Sequence, residues 1–67
     1  MNLRHNGIRY YAVSNPWIDN GQYKLLVEDV FTHRYLVTWL GPLDADNEPI
    51  DWTAYTLEEL ADEDNAK

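Results

Sequence analysis

Sixty-seven residues with no cysteine, and five Lys and Arg against twelve Asp and Glu for a net charge of −7, exclude a disulfide scaffold and a second domain. The few bases are scattered, so they lack the clustering that phosphate binding needs, and direct nucleic acid is not the expected ligand. Two histidines cannot build the usual zinc cage, so the core must rest on apolar packing, for which three Trp, five Tyr and one Phe are present.

The opening residues, MNLRHNGIRYY, lack the continuous apolar stretch of a signal peptide, and no run of about 18 apolar residues occurs to span a membrane. A cytoplasmic protein forming one domain over residues 1–67 is expected. Residues 7–14, GIRYYAVS, are rich in aromatic and β-branched side chains and predict a first strand. It is closed by NPWIDNG, whose Asn15-Pro16 and Asn20-Gly21 steps are turn signals. Residues 22–30, QYKLLVEDV, alternate Tyr23, Leu25 and Val27 against Lys24, Leu26 and Glu28, as a half-buried strand does. Residues 34–40, RYLVTWL, repeat the alternation, and the short link through residues 31–33 predicts an antiparallel hairpin.

After the polar loop DADNEP, Ile50 and Trp52 form either a short fourth strand or a plug over an open end of the sheet. Thr56 followed by Glu59 is a capping-box pattern, with Leu57 and Leu60 as an apolar edge, and it predicts a short C-terminal helix. The expected fold class is therefore α+β, a small three- to four-stranded antiparallel sheet with that helix, or an SH3-like partly open barrel if residues 50–52 pair. Residues 61–67 are expected to fray as an acidic tail.

Catalytic and metal-binding patterns fail on their spacing. Asp44, Asp46 and Glu48 open like a calcium loop, but Pro49 stands where the loop needs glycine and Tyr55 where it needs a bidentate Glu. The only serine, Ser14, has no Gly-x-Ser-x-Gly elbow, and His5 and His33 have no nucleophile beside them in sequence. The three glycines are too far apart to cradle a phosphate. No enzyme activity, catalytic residue, cofactor or metal is expected.

Charge is lopsided along the chain. Residues 1–43 balance to +1, whereas residues 44–67 hold nine acids against Lys67 alone. On the predicted helix, Glu58 with Asp62 and Glu59 with Glu63 stack like charges at i, i+4, an arrangement that does not favour helix stability. An acidic surface interleaved with Trp52 and Tyr55 imitates a phosphate backbone and suits a basic groove on a nucleic-acid-handling protein. Small acidic cysteine-free chains of this style resemble the accessory proteins of phages and other mobile elements, including inhibitors of host enzymes.

The expected function is a non-enzymatic protein-binding module, an acidic inhibitor or modulator of that type. Its candidate partner-binding residues are Asp44, Asp46, Glu48, Asp51, Trp52, Tyr55, Glu58, Glu59, Asp62 and Glu63. The alternative is a small structural or assembly subunit that forms a homodimer through its sheet. Both strand faces are apolar, with Tyr10, Leu25 and Val37 on one and Tyr11, Leu26 and Leu36 on the other, and one helix covers only one of them. A third, weaker reading is nucleic-acid binding by the strands through Arg9, Lys24 and Arg34, against which the net charge argues.

Overall fold

A computed structural model of the chain describes residues 1–60. These form one antiparallel sheet of six strands: β1 (Asn2–His5), β2 (Ile8–Ala12), β3 (Trp17–Asp19), β4 (Gln22–Glu28), β5 (Arg34–Trp39) and β6 (Tyr55–Glu59). The order is β1-β2-β4-β5-β6, with β3 also paired to β4. The sheet curls into a half-barrel around a core of Tyr10, Tyr23, Leu25, Val27, Val37 and Trp39.

Turn chemistry sets the register. Asn6-Gly7 joins β1 to β2 and Asn20-Gly21 joins β3 to β4, each with both residues at positive φ (53° and 79°, 55° and 76°). That is the two-residue hairpin turn whose twist matches the flanking strands, and Asn-Gly is the pair that adopts it at least cost. Strands β2 and β3 lie along the same edge of β4, interrupted at residues 13–16, where Pro16 has no N–H to give. The ladder is carried across the break by the Val13 N–H donating to the Leu26 carbonyl at 2.9 Å and by the Leu26 N–H donating to Ser14 Oγ at 3.1 Å.

Two further turns share one construction. At residues 29–33 the Asp29 N–H donates to the His33 carbonyl and the Thr32 N–H to the Asp29 carbonyl. Asp29 Oδ1 accepts from the N–H groups of Phe31 and His33, and Thr32 sits at φ 66°. At residues 44–48 the same bonds recur, from the Asp44 N–H to the Glu48 carbonyl and from the Asn47 N–H to the Asp44 carbonyl. Asp44 Oδ1 accepts from the N–H groups of Asp46 and Glu48, and Asn47 sits at φ 64°. Aspartate at the first position supplies the acceptor that each turn's own backbone lacks.

The inner face closes with rings. Tyr23, Trp39 and Trp52 lie mutually edge-to-face at centroid separations of 5.4–5.5 Å, and the Trp39 indole N–H donates to the Trp52 carbonyl at 3.0 Å. Tyr10 stands edge-on to Tyr35 at 5.1 Å, and His5 Nδ1 meets the Tyr55 hydroxyl at 3.0 Å, tying the first strand to the last. These edge-to-face pairs each contribute on the order of 1 kcal/mol beyond burial.

The structure corrects the expected fold class. The C-terminal helix is absent among the described residues, six strands replace three or four, and the fold is all-β, not α+β. Residues 50–52 pair as no strand, so the SH3-like closure built on them falls as well; Trp52 instead acts as the plug. The face expected under a helix is covered by the sheet's own curl. The reason is non-local: β5 offers an unpaired edge, and β6 takes it in the register Val37↔Leu57 and Thr38↔Thr56. A helix of a few turns is marginal by itself, whereas the strand buries Tyr55 and Leu57 in part and satisfies its backbone at once. The fraying expected of residues 61–67 lies outside the described residues.

Candidate functional site

The loop from β5 to β6 gathers half of the acidic candidates, Asp44, Asp46, Glu48 and Asp51, at the Trp39 end of the sheet. Two short turns build it. The Asp44 turn is followed by a second in which Asp51 Oδ1 accepts from the Thr53 N–H at 3.0 Å and from the Thr53 hydroxyl at 2.6 Å. These bonds, the hydroxyl's first and the amide's second, hold the Asp51 carboxyl below the ordinary 3.8 against a smaller opposing effect of burial. Leu43 and Pro49 bridge the loop's two sides, and the Ile50 N–H donates to the Pro42 carbonyl at 3.2 Å. Nothing in this loop is a long free excursion.

Its carboxylates accordingly divide into two kinds. Asp44 and Asp51 are committed to backbone and hydroxyl donors of their own turns. The side chains of Asp46 and Glu48 accept no hydrogen bond among the described residues and are exposed. Glu48 also lies near Tyr23, whose phenol is pushed up, first by burial and then by the Glu48 charge. Glu48 thus stands at the border of the aromatic cluster.

Apolar surface is exposed beside them. Trp52 is 39% exposed though its ring packs on Tyr23 and Trp39, while Ile50 and Leu40 are 64% and 56% exposed. The Leu40 N–H donates to the Ala54 carbonyl at 2.8 Å, which continues the β5–β6 ladder and, by alternation from buried Trp39, turns the Leu40 side chain to the outer face, away from Trp52. Exposed apolar side chains and uncommitted carboxylates on one pinned loop are the elements from which a protein-docking surface is built.

The remaining candidates are dispersed. Tyr55 is half-buried, with its hydroxyl on His5 and its ring tilted on Trp39 at 5.9 Å, so it belongs to the closure of the half-barrel. Glu58 and Glu59 are consecutive in a strand and therefore face opposite sides of the sheet, not one helical stripe. Asp62 and Glu63 lie outside the described residues. The stacking of like charges expected between positions 58 and 62 and between 59 and 63 rested on the helix and goes with it.

Compared with protein families, characterised proteins and solved structures, the chain matches none. The reading of the site therefore rests on its own residues. Among the described residues no group of three or more His, Asp or Glu side chains is placed to hold a metal ion, and no helix is long and apolar enough to cross a membrane. Asp29, His33 and Tyr35 do come together, with the Tyr35 hydroxyl donating to Asp29 Oδ2 at 2.9 Å and His33 Nδ1 at 3.7 Å from the same oxygen. Because the other Asp29 oxygen accepts two backbone N–H groups, the cluster is the clasp of the β4–β5 turn.

Ile50 is an exposed loop residue that the sequence pattern does not mark as exposed. On the outer face, which Leu40 shares, strand parity aligns Arg4, Arg9, Lys24 and Arg34 with Tyr11 and Trp17, and Arg34 is paired to Glu28 at 2.8 Å.

Proposed function

We propose that the chain is a non-enzymatic protein-binding module, a small acidic inhibitor or modulator of the kind carried by phages and mobile elements. In this reading it docks the loop of residues 43–54 on a basic surface of a cytoplasmic nucleic-acid-handling protein. The observation that supports it is the exposed apolar pair Ile50 and Trp52 on a loop that is pinned by two turns and also carries the uncommitted carboxylates Asp46 and Glu48. A pinned loop loses little conformational freedom on binding, and its charge speeds encounter with a positive groove. The apolar pair supplies the desolvated centre that charge alone does not.

Capture by the tagged protein, at about 50 mM and about 500 mM salt, tests the reading, because exposed charge attraction is strongly screened over that range. The expected result is a basic nucleic-acid-handling protein, released by salt and displaced by single-stranded nucleic acid competing for the same groove. Capture that neither salt nor nucleic acid disturbs contradicts it.

A second reading, self-association through the sheet, draws on Tyr11, Val13 and Trp17, all exposed on the outer face beside half-buried Leu26 and Leu36. Sedimentation at high protein concentration decides it. A salt-resistant dimer supports that reading and a monomer removes it.

A further inference from the structure

Among the described residues strand β6 ends the sheet, and its outer edge has a definite polarity. The Ala54 carbonyl accepts from Leu40 and the Leu60 N–H donates to Arg34, so the even-numbered residues of this segment turn their backbone groups toward β5. By alternation, the N–H and C=O groups of Tyr55, Leu57 and Glu59 point away from β5, and among the described residues none of them has a backbone partner. An edge of this kind is a template for another extended segment.

The side chains along the edge state what that segment carries. Tyr55, Leu57 and Glu59 face inward and Thr56 and Glu58 outward, so the edge is apolar at its start and doubly acidic at its end. We propose that β6 accepts an extended basic segment of the partner as a seventh, antiparallel strand, reading Lys/Arg-Lys/Arg-apolar-polar-apolar against Glu59, Glu58, Leu57, Thr56 and Tyr55. The inference rests on the docking reading above and adds its mode. Every pair in this sheet is antiparallel, and the added strand continues the pattern. Opposite charges placed directly across two strands attract, whereas a second acidic strand in the same place meets repulsion.

The test titrates the isotopically labelled full chain with a capped Lys-Lys-Val-Thr-Val peptide and follows amide resonances. The expected shifts concentrate on Tyr55, Leu57 and Glu59, and a Glu-Glu-Val-Thr-Val peptide produces none. Glu59→Pro removes an outward N–H without touching the β5 ladder and weakens binding by about tenfold, the loss expected when the peptide carbonyl is left without its donor. Glu59→Gln keeps the N–H and loses only the charge, so its effect is smaller. N-methylation of the peptide's central valine weakens binding by about tenfold with the protein unaltered, which holds the test even if Glu59→Pro folds poorly. Shifts confined to residues 43–54, no shifts, or equal affinity for the N-methylated peptide overturn the inference. So do concentration-dependent shifts at Tyr55, Leu57 and Glu59 without peptide, since a second copy then takes the edge. If Glu59→Pro still captures the salt-sensitive partner undiminished, strand addition fails while docking through the acidic loop stands.

Discussion

The Tyr35 hydroxyl donates to Asp29 Oδ2 at 2.9 Å, joining a strand residue to the carboxylate that builds the turn before it. Only 8% of Asp29 is exposed. Burial alone would raise its carboxyl, but the hydrogen bonds from the His33 N–H, the Tyr35 hydroxyl and the Phe31 N–H outweigh it and hold the group below 3.8. The Tyr35 phenol is pushed up to about 12 by that same hydrogen bond, with burial second and the Asp29 charge third.

Both shifts predict a pH dependence of stability, with opposite signs. A depressed Asp29 stabilises the fold above 3.8, and the contribution is lost as pH falls through its lower folded value. A raised Tyr35 contributes fully below 10.0, and the contribution is lost as pH rises toward about 12. Thermal melts across pH should show Tyr35→Phe with a smaller alkaline loss than the parent, though not none, because Tyr10 and Tyr23 are also raised. Asp29→Asn should flatten the acid limb.

Asp44 and Asp46 differ by two positions and by role. Asp44→Ala removes the acceptor of two backbone N–H groups and is expected to cost about 1–2 kcal/mol in denaturant unfolding. Asp46→Asn and Glu48→Gln should leave stability within about 0.5 kcal/mol. Glu48→Gln should also bring the Tyr23 phenol part-way back toward 10.0 in a spectroscopic titration, since burial raises it first and the Glu48 charge second.

Trp52 is both plug and surface. Trp52→Ala removes one of three interlocked rings and is expected to destabilise by about 2 kcal/mol, below the full value for a buried Trp because the ring is 39% exposed. Ile50→Ser, at 64% exposure, should leave the melting temperature nearly unchanged yet weaken partner capture.

Glycine substitutions separate backbone strain from packing. An added Cβ meets nothing within 4 Å at Gly21 or at Gly41, but only Gly21 has a positive φ, +76°. Gly21→Ala is therefore expected to cost about 1–2 kcal/mol through conformation alone, and Gly41→Ala to be neutral or slightly stabilising. Equal effects at the two positions would contradict the turn assignment.

The sequence shows the centre of the fold more clearly than its ends. The alternation of Tyr23, Leu25 and Val27 against Lys24, Leu26 and Glu28 appears unchanged as the buried and half-buried sides of β4. Asn6-Gly7 obeys the same turn rule as Asn20-Gly21, yet the segment before it, NLRH, is too short and polar to announce a strand by composition. At the C-terminal end two patterns overlap. Leu57 and Leu60 with the Thr56/Glu59 pair read as helix, while Tyr55 and Leu57 with Thr56 and Glu58 read as strand. The unpaired edge of β5 decides between them, and a local window cannot see it. The acidic site was legible as charge but not as two kinds of carboxylate, because which oxygens turn inward depends on loop geometry.

In the docking reading, the exposed carboxylates of the acidic half form the working surface. The most direct measurement compares the affinity of the captured partner for the parent chain with that for the variant combining Asp46→Asn, Glu48→Gln, Glu58→Gln and Glu59→Gln, with Asp44 and Asp51 left intact. Binding is expected to fall by at least about tenfold, a loss of about 1.4 kcal/mol, while the melting temperature holds or rises as like charges are removed. Unchanged affinity in a folded variant would contradict it.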